Sequence, residues 1–456
     1  MEEAHQRLKG IRSIIKRLSG SFLLSAAFCF FTTSPAAAID IISDEETEVL
    51  IAHVAQPLFK AAGIPFDRNK IYIVNDNSLN AFVSDGNRLF VHTGTITAAE
   101  NVNELAGVIA HETGHIQGGH ILRQKIKNQT MREVTLASAI LAGTAAAASG
   151  RGDVAMAVLL GSQSSALTHY TRYRTEEERN ADEAAVNLLA QTGQSPAGIL
   201  RFMKKISKQN NLNGIEETPY FRTHPVTSER IGFFEEAVKK SDAPQASPYD
   251  KDLQLVKAKL YAFLNTPQQT VRKYPTGDKS EAALYAQGIS AFKQLKLKEA
   301  LAKMDKLIAT APDNPYFKEM KAQIYLETGQ IKPARKEYEQ ALKQRPESVL
   351  LQLSLAQAML EDSLTPAELE RVIRLLNQTQ IKRPSAWGWL LTSRAYGQKN
   401  DLANANYAAA EYSYAIGAAQ TAKRQIDEAR KASPNAKLRL KLDDLEARLR
   451  EILKND

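Results

Sequence analysis

The sequence predicts a mainly α-helical protein in two parts: an α+β domain with a short β-sheet, followed by an all-α solenoid of helical repeats. Short apolar runs alternate with helical patterns from Ile39 to about Lys240, whereas the remainder is helical in pattern to its end. In that second half, small and aromatic residues recur at a regular interval of about 34 residues. The chain has 456 residues, 43% hydrophobic and 24% charged, which is enough for two or more packed domains.

Residues 1–38 have the layout of a secretory signal peptide. A basic stretch ends at Arg17, an apolar core covers residues 22–31, and the segment Ser34–Ala38 supplies a small-residue cleavage site. We therefore expect residues 1–38 to direct export and to be removed. The alternative is an uncleaved anchor, but the apolar core is shorter than the ~20 residues that span a bilayer.

Charge and cysteine content exclude several classes of function. The net charge is +8, but the residues after position 38 hold 54 basic and 49 acidic side chains, with no Lys/Arg run of the kind that binds nucleic acid. The single cysteine, Cys29, lies within the signal peptide. A processed chain therefore has no thiol for a disulfide, a nucleophile or a metal ligand. We expect no nucleic-acid partner.

Residues 39–240 are expected to form the α+β domain. Two short apolar runs next to turn residues predict strands, and helical spacing of apolar residues predicts two helices that carry the polar motifs. The predicted strands are Ile71–Val74 and Leu89–Val91, and the predicted helices are Glu104–Ile121 and Thr175–Ala190.

Three of the eight histidines fall within ten residues, at His111, His115 and His120. Residues four apart on a helix share a face, so His111 and His115 can each turn one ring nitrogen toward the same ion. Glu112 then points toward a water on that ion, which is the HExxH arrangement of zinc hydrolases. The motif predicts one Zn²⁺ ion per chain.

A catalytic zinc ion normally has three protein ligands, and two residues are candidates for the third. His120 lies nine residues after His111, which at about 100° per residue puts it on a different side of a continuing helix. Glu178 lies on the second predicted helix and shares a face with Asp182. Glu178 is therefore favoured as the ligand, with Asp182 accepting a hydrogen bond from a ligand histidine. For His120 we favour a structural hydrogen bond near the helix end.

Several motifs together resemble the zinc metallopeptidases that include the CAAX prenyl proteases and the heat-shock membrane protease. The matching segments, which cover about residues 45–240, are Asn80-Ala81-Phe82 with Leu89-Phe90-Val91, Glu104-Leu105-Ala106, His111-Glu112-Thr113-Gly114-His115 with His120, Glu178-Arg179-Asn180-Ala181-Asp182, and Thr223-His224-Pro225 through Ser228-Glu229-Arg230. The resemblance implies a zincin-like metalloprotease domain. It also implies that His111, His115 and Glu178 bind the metal, that Glu112 is the general base, and that Asp182 orients a ligand histidine.

The same resemblance places His224 and Arg230 near the metal. Both are candidate catalytic residues because a positively charged or N–H donor can stabilise the oxyanion of the transition state. His224 has a second possible role, since it could instead coordinate zinc in a resting state and block the water position. The sequence leaves these two roles of His224 open.

Two further segments are candidates for contacts with partners. The segment Asn80–His92 is expected to include an edge strand beside the metal helix, able to pair with an extended peptide through main-chain hydrogen bonds. Residues 134–160 form an alanine-rich apolar block. We expect this block to make a peripheral contact with a membrane or a client, the alternative being a pair of buried helices.

The second half of the chain contains an internal repeat. Positions about 34 residues apart carry matching small, aromatic and proline residues, which resembles the tetratricopeptide repeat. The matching sets are Gly288, Ala300, Met304, Leu307 and Pro312, then Ala322, Ala334, Tyr338, Ala341 and Pro346. We expect a linker with one helix at 241–277 and a repeat domain at 278–450, whose concave face binds extended peptides or proteins. The alternative is a plain helical bundle.

Signal peptide, protease motifs and repeats together imply an exported, periplasmic zinc endopeptidase. By resemblance, its substrates are misfolded or misassembled envelope proteins, and its repeats recruit clients or the outer-membrane β-barrel assembly machinery. The alternative is a periplasmic chaperone or adaptor whose repeats bind clients and whose protease activity is latent. The sequence does not specify the client, the cleavage preference or the oligomeric state.

Overall fold

The computed structural model describes residues 40–123, 175–213, 220 and 223–453. The expected signal peptide and the apolar block at 134–160 therefore lie outside the described residues. What is described belongs to one compact unit that begins at Asp40. Within it, every helix is too short or too polar to pass through a bilayer.

A four-stranded sheet lies near the start of the described chain, with strand order β1-β2-β4-β3. Strands β2 and β4 are parallel, and the outer strands β1 and β3 each pair antiparallel with their neighbour. The strands are β1 at Ile41–Ile42, β2 at Ile71–Val74, β3 at Ala81–Ser84 and β4 at Arg88–His92. Gly86 and Asn87 have φ values of 75° and 61°, so the predicted turn residues join β3 to β4 in a tight hairpin. The two predicted strands are confirmed.

Six of the helices of the described chain accompany this sheet, besides helical residues at 120–123, 220 and 223. They are α1 at Glu45–Ala61, α2 at Thr93–Ala98, α3 at Val102–Gln117, α4 at residues 175–191, α5 at Ala197–Asn213 and α6 at Ser228–Lys239. Helix α3 is central, since every residue from Val102 to His115 is buried. The predicted metal helix thus exists, but it ends at Gln117, because Gly119 adopts a left-handed φ of 68°.

Close backbone contact fixes α3 against α5. A Cβ atom added to Gly198 would lie 1.8 Å from the carbonyl oxygen of Asn103, and one added to Gly107 would lie 2.5 Å from the backbone nitrogen of Ile199. Only glycine permits this approach of two helix backbones. The opposite side of α3 packs on α1 and β3 through a core that includes Leu105 and Ile109.

The second half of the described chain consists of helices. They are α7 at Asp250–Leu264, α8 at Pro267–Lys273, α9 at Glu281–Lys293, α10 at Leu297–Thr310, α11 at Pro315–Glu327, α12 at Ile331–Gln344, α13 at Val349–Leu360, α14 at Pro366–Lys382, α15 at Ala386–Gln398, α16 at Leu402–Ala415, α17 at Ala419–Lys431 and α18 at Ala436–Leu453. From α9 onward they form helix pairs, and the first helices of successive pairs begin at Glu281, Pro315 and Val349, which is the spacing of the predicted repeat. The prediction of a mainly α-helical protein with a repeat solenoid is confirmed.

The segment 241–277, predicted as a linker with one helix, contains two helices. Helix α7 contributes Leu253 and Val256 to the core of the first half and Leu255 and Ala258 to the first core of the solenoid. This helix therefore packs into both hydrophobic cores and is not a flexible linker. The exact domain boundaries stay predictions.

Buried ion pairs also join the two halves at the N-terminus of α1. Glu45, Glu46 and Glu48 are almost fully buried there, where the helix dipole favours negative charge. The guanidinium of Arg383, at the end of α14, lies 2.5 and 2.9 Å from the two carboxylate oxygens of Glu48. The first turn of α1 is thus held by charges from the solenoid.

A second group of charges at this junction contains more carboxylates than cations. The Lys259 ammonium pairs with Asp44 and lies 3.4 Å from Glu46 and 3.8 Å from Glu319. Glu46 also accepts a hydrogen bond of 3.1 Å from the Tyr285 hydroxyl. Because burial is only partly offset by the single ammonium, the pKa values of Glu46 and Glu319 are both raised to about 7.

This cluster predicts that stability falls with rising pH near neutrality. A carboxyl whose folded-state pKa is raised from 4.5 to about 7 stabilises the fold fully below pH 4.5, and this contribution is lost as the pH rises through 7. We expect Glu319→Gln to remove part of this loss, roughly 1 kcal/mol per pH unit between about pH 4.5 and about pH 7. Thermal or denaturant unfolding from about pH 4 to about pH 8 measures the loss and should show it level off above pH 7.

The matched control is Glu327→Gln, an exposed glutamate on the same helix. It should keep the pH dependence of the wild type. An equal pH dependence in the wild type and in Glu319→Gln would contradict the proposed excess of buried carboxylates.

Candidate metal centre

Helix α3 places two imidazoles side by side. His111 and His115 are one turn apart, and their Nε2 atoms lie 3.1 Å from each other. His111 is fully buried and His115 is 8% exposed. The two ring nitrogens can therefore bind the same ion.

Helix α4 brings a carboxylate to this pair because the two helices touch at a glycine. A Cβ atom added to Gly114 would lie 2.8 Å from the backbone oxygen of Ala181. Across this contact, the Glu178 oxygens lie 3.3 Å from His111 Nε2 and 3.3 Å from His115 Nε2. The structure thus joins the three residues that the sequence favoured as metal ligands.

His224 adds a fourth donor. Its Nδ1 atom lies 3.3 Å from His111 Nε2 and 3.0 and 3.1 Å from the Glu178 oxygens. The four buried donor residues offer atoms within 4.8 Å of one another. Ligands about 2.1 Å from a tetrahedral metal ion stand about 3.4 Å apart, close to the separations found here, so these nitrogen and oxygen donors fit a divalent metal.

Asp182 and Arg230 surround this donor cluster. Asp182 Oδ1 lies 2.9 Å from His111 Nδ1, on the far side of the ring from the donor cluster. Arg230 donates to Asp182 through Nε (2.6 Å) and Nη2 (2.8 Å), and its Nη1 lies 2.9 Å from Glu178 and 2.7 Å from the Pro225 oxygen. A bidentate pair of this kind fixes a carboxylate geometrically.

These contacts do not fit the expectation that Arg230 is an oxyanion donor. All three guanidinium nitrogens contact Asp182, Glu178 or the Pro225 carbonyl, and the side chain is only 9% exposed. The geometry instead gives Arg230 the role of positioning two carboxylates and compensating their buried charge. Sequence spacing gave no sign of this role.

His120 lies beside His115 and not in the donor cluster. Its Nδ1 is 2.8 Å from His115 Nδ1, which leaves His115 Nε2 facing the donor cluster. One of the two Nδ1 atoms must donate and the other accept. His120 can thus fix the tautomer and ring orientation of His115, which matches the hydrogen bond expected for it.

Glu112 is 1% exposed and lies next to the donor cluster. Its Oε1 has no hydrogen-bond partner among the residues that the structure describes, and it lies 3.6 Å from His224 Nε2. The backbone N–H of Val83, in strand β3, lies close enough to this carboxylate to oppose the rise in its pKa. Burial raises the pKa of Glu112, so its carboxylate is a stronger base than an exposed one.

The donor residues differ in charge state in the metal-free protein. Burial alone would lower the pKa of His111, but the carboxylates of Asp182 and Glu178 outweigh it and raise the pKa to about 9. Burial lowers the pKa of His115 to about 3, and the neighbouring histidines hold the pKa of Glu178 well below its usual range despite its burial. Metal binding must therefore release a proton from His111.

The contact between Asp182 and His111 predicts the effect of Asp182→Asn. Loss of the negative charge weakens the donor strength of His111, so we expect metal affinity to fall about 10- to 100-fold. Competition with a chromophoric chelator measures this affinity. Glu183→Gln, on the same helix but with a side chain 53% exposed, should bind metal like the wild type. Equal affinity in Asp182→Asn and the wild type would refute the orienting role.

Comparisons with known proteins agree with this site. Residues 45–238 match peptidase family M48, and residues 291–360 match a tetratricopeptide repeat family. The β-barrel assembly-enhancing protease of Yersinia pestis is 24% identical over 333 residues, covering 71% of this chain and 67% of that protein. Its Escherichia coli (strain K12) counterpart is 24% identical over 341 residues, 72% and 68% of the two chains.

A third relative matches a shorter stretch of the chain. The metalloprotease LoiP of Escherichia coli (strain K12) is 29% identical over 161 residues, 35% of this chain and 58% of that protein. The match of residues 45–238 and the His-Glu donor cluster agree with each other. Residues 45–238 are therefore a metallopeptidase domain of family M48, and the chain joins this domain to tetratricopeptide repeats.

Proposed function

We propose that this protein is an exported zinc endopeptidase that cleaves misfolded or misassembled envelope proteins, and that His111, His115 and Glu178 are its metal ligands. One observation carries the proposal: two imidazoles and a carboxylate lie 3.1–3.3 Å apart, next to a buried glutamate whose Oε1 has no hydrogen-bond partner among the described residues. Nitrogen and oxygen donors without thiolates suit zinc in a catalytic site. When bound, zinc acidifies a water molecule and polarises the carbonyl of the scissile peptide bond.

Glu112 supplies the proton transfers. Its free Oε1 accepts the proton of the attacking water, and the raised pKa of the buried carboxyl makes this transfer more favourable. The same carboxyl then donates the proton to the leaving amine. The nearby backbone N–H of Val83 favours the ionised form of this carboxylate.

His224 is proposed as a cap of the resting site. Its Nδ1 lies within hydrogen-bond distance of both Glu178 oxygens and of His111, so His224 would be a fourth donor to a bound ion. Because a catalytic zinc ion keeps one position for water, His224 would have to withdraw for turnover. Its Nε2, 3.6 Å from Glu112, would then be available to the oxyanion.

Strand β3 is proposed to bind the substrate backbone. It is the outermost strand on its side of the described sheet, it packs against α3, and its Val83 touches Glu112. An extended peptide can pair with such an edge through main-chain groups, which makes few demands on side chains. Broad specificity suits a protease that removes damaged proteins.

The location and clients are proposed from the signal-peptide pattern and from the relatives. The layout of residues 1–38 favours export to the periplasm. The relatives named as β-barrel assembly-enhancing proteases suggest that clients are outer-membrane proteins or their assembly machinery. The concave face of the repeats is the surface proposed to recruit them, and residues 134–160 are proposed to touch a membrane or client. A chaperone or adaptor with latent protease activity is the alternative.

The role of Glu112 predicts that Glu112→Gln abolishes cleavage but retains the metal. Removing the general base should lower turnover of casein by at least 100-fold, on the order of the usual contribution of such a group. Zinc content by mass spectrometry and casein cleavage measure the two properties on the same sample. If the wild type holds zinc, never cleaves and still suppresses client aggregation, the adaptor alternative is correct.

The ligand assignment predicts different effects for two further variants. Glu178→Ala removes a proposed ligand and should lose zinc, whereas His120→Ala removes only the hydrogen bond to His115 and should retain it. Zinc content after dialysis against a weak chelator distinguishes them. Loss of zinc in His120→Ala alone would show that His120, and not Glu178, is the third ligand.

A further inference from the structure

Three aromatic rings lie side by side across the sheet. Tyr72 of β2 is paired with Phe90 of β4, and Phe90 is paired with Phe82 of β3. The Tyr72 and Phe90 rings are stacked with centroids 4.8 Å apart, and the Phe90 and Phe82 rings are stacked at 4.7 Å with 7° between their planes. We call these three residues the aromatic row.

The aromatic row lies on the face of the sheet opposite to α3. Side chains alternate between the two faces of a strand, and the neighbours Ala81 and Val91 belong to the core beneath the sheet. All three rings of the row are partly exposed. The row is therefore accessible from solvent and is not part of the hydrophobic core.

Phe82 is the end of this row at the open edge of the sheet. Phe90 covers one side of its ring, and the described sheet has no strand beyond β3 on the other side. A peptide paired with β3 would fill that place. Every second side chain of such a peptide would then stand on the same face as Phe82, directly opposite or diagonal to it.

The position beside Phe82 is close to Glu112, the proposed general base. Helix α3, which carries Glu112, packs against β3, and the backbone of Val83, the next residue of β3, lies near the Glu112 carboxylate. A peptide along β3 therefore passes the general base, and its side chains alternate between the metal side and the side of the aromatic row. If Phe82 prefers one type of substrate side chain, that side chain would always stand the same number of residues from the cleaved bond.

We propose that Phe82 is a specificity-determining residue, which selects an aromatic side chain of the substrate and stacks it as a fourth ring of the aromatic row. The inference rests on the proposed function, since it assumes that substrates pair with β3. Aromatic cross-strand pairs are favourable in antiparallel and parallel sheets alike. Strands of outer-membrane barrels carry aromatic residues at their ends and alternate in polarity, so unassembled barrel proteins offer suitable segments.

The test uses the full-length processed protein and a denatured outer-membrane β-barrel protein as substrate. Mass spectrometry of the products maps every cleaved bond, so the position of Phe82 relative to the scissile bond need not be known. The wild type should show aromatic residues enriched about 2- to 10-fold at one fixed position from the cleaved bond, the ratio expected for one aromatic pair.

Three variants separate selection from folding. Phe82→Leu removes the ring but keeps an apolar side chain, and should lose the enrichment while cleavage continues. Phe82→Tyr keeps the ring and should retain the enrichment. Tyr72→Leu removes a ring from the same row, two strands away from the open edge, and should also retain it. Thermal unfolding of each variant checks that it is folded.

The outcomes distinguish the inference from the proposed function. Wild-type cleavage that depends on Glu112, with no aromatic enrichment or with an enrichment that Phe82→Leu leaves intact, overturns the inference alone. Absence of any cleavage that depends on Glu112 overturns the proposed function as well. Loss of enrichment in Tyr72→Leu as in Phe82→Leu would show that the row acts only by stabilising the sheet.

Discussion

The contact between α3 and α4 at Gly114 is the constraint on which the site depends. Because Gly114 has no side chain, the Ala181 backbone approaches α3 closely and Glu178 reaches both imidazoles of the HExxH motif. Gly107 and Gly198 fix the other flank of α3 in the same way. A metal site needs donors held to within fractions of an ångström, and packed helix backbones provide this better than loops do.

The buried carboxylates around this contact are compensated by positively charged side chains. Glu178 and Asp182 are both buried carboxylates, and Arg230 touches both while His111 lies between them. Two buried carboxylates without compensation would be costly, and a single guanidinium supplies one charge and a fixed geometry. Protonated His111, whose pKa is raised to about 9, supplies the second positive charge, and a bound metal ion takes over this charge as His111 releases its proton.

The sequence predicted the features that depend on local pattern, and missed those that depend on distant partners. The strand Ile71–Val74, the helical repeat and the pairing of His111 with His115 follow from spacing, whereas the place of Glu178 beside them was implied by the resemblance to the metallopeptidases. Strand β1 has only two residues, too few for a periodic signal. Local sequence could not predict two ion pairs between distant residues. Arg230 pairs with Asp182, 48 residues away, and Arg383 pairs with Glu48, 335 residues away.

The central claim is that Glu178 joins His111 and His115 as a ligand of one zinc ion. Anomalous diffraction at the zinc absorption edge, from crystals of the zinc-loaded processed protein, tests it most directly. The account predicts one strong peak per chain, within about 2.0–2.2 Å of both Nε2 atoms and of a Glu178 oxygen. A peak bound by His120 while Glu178 points away, or no peak between the two imidazoles, would contradict it.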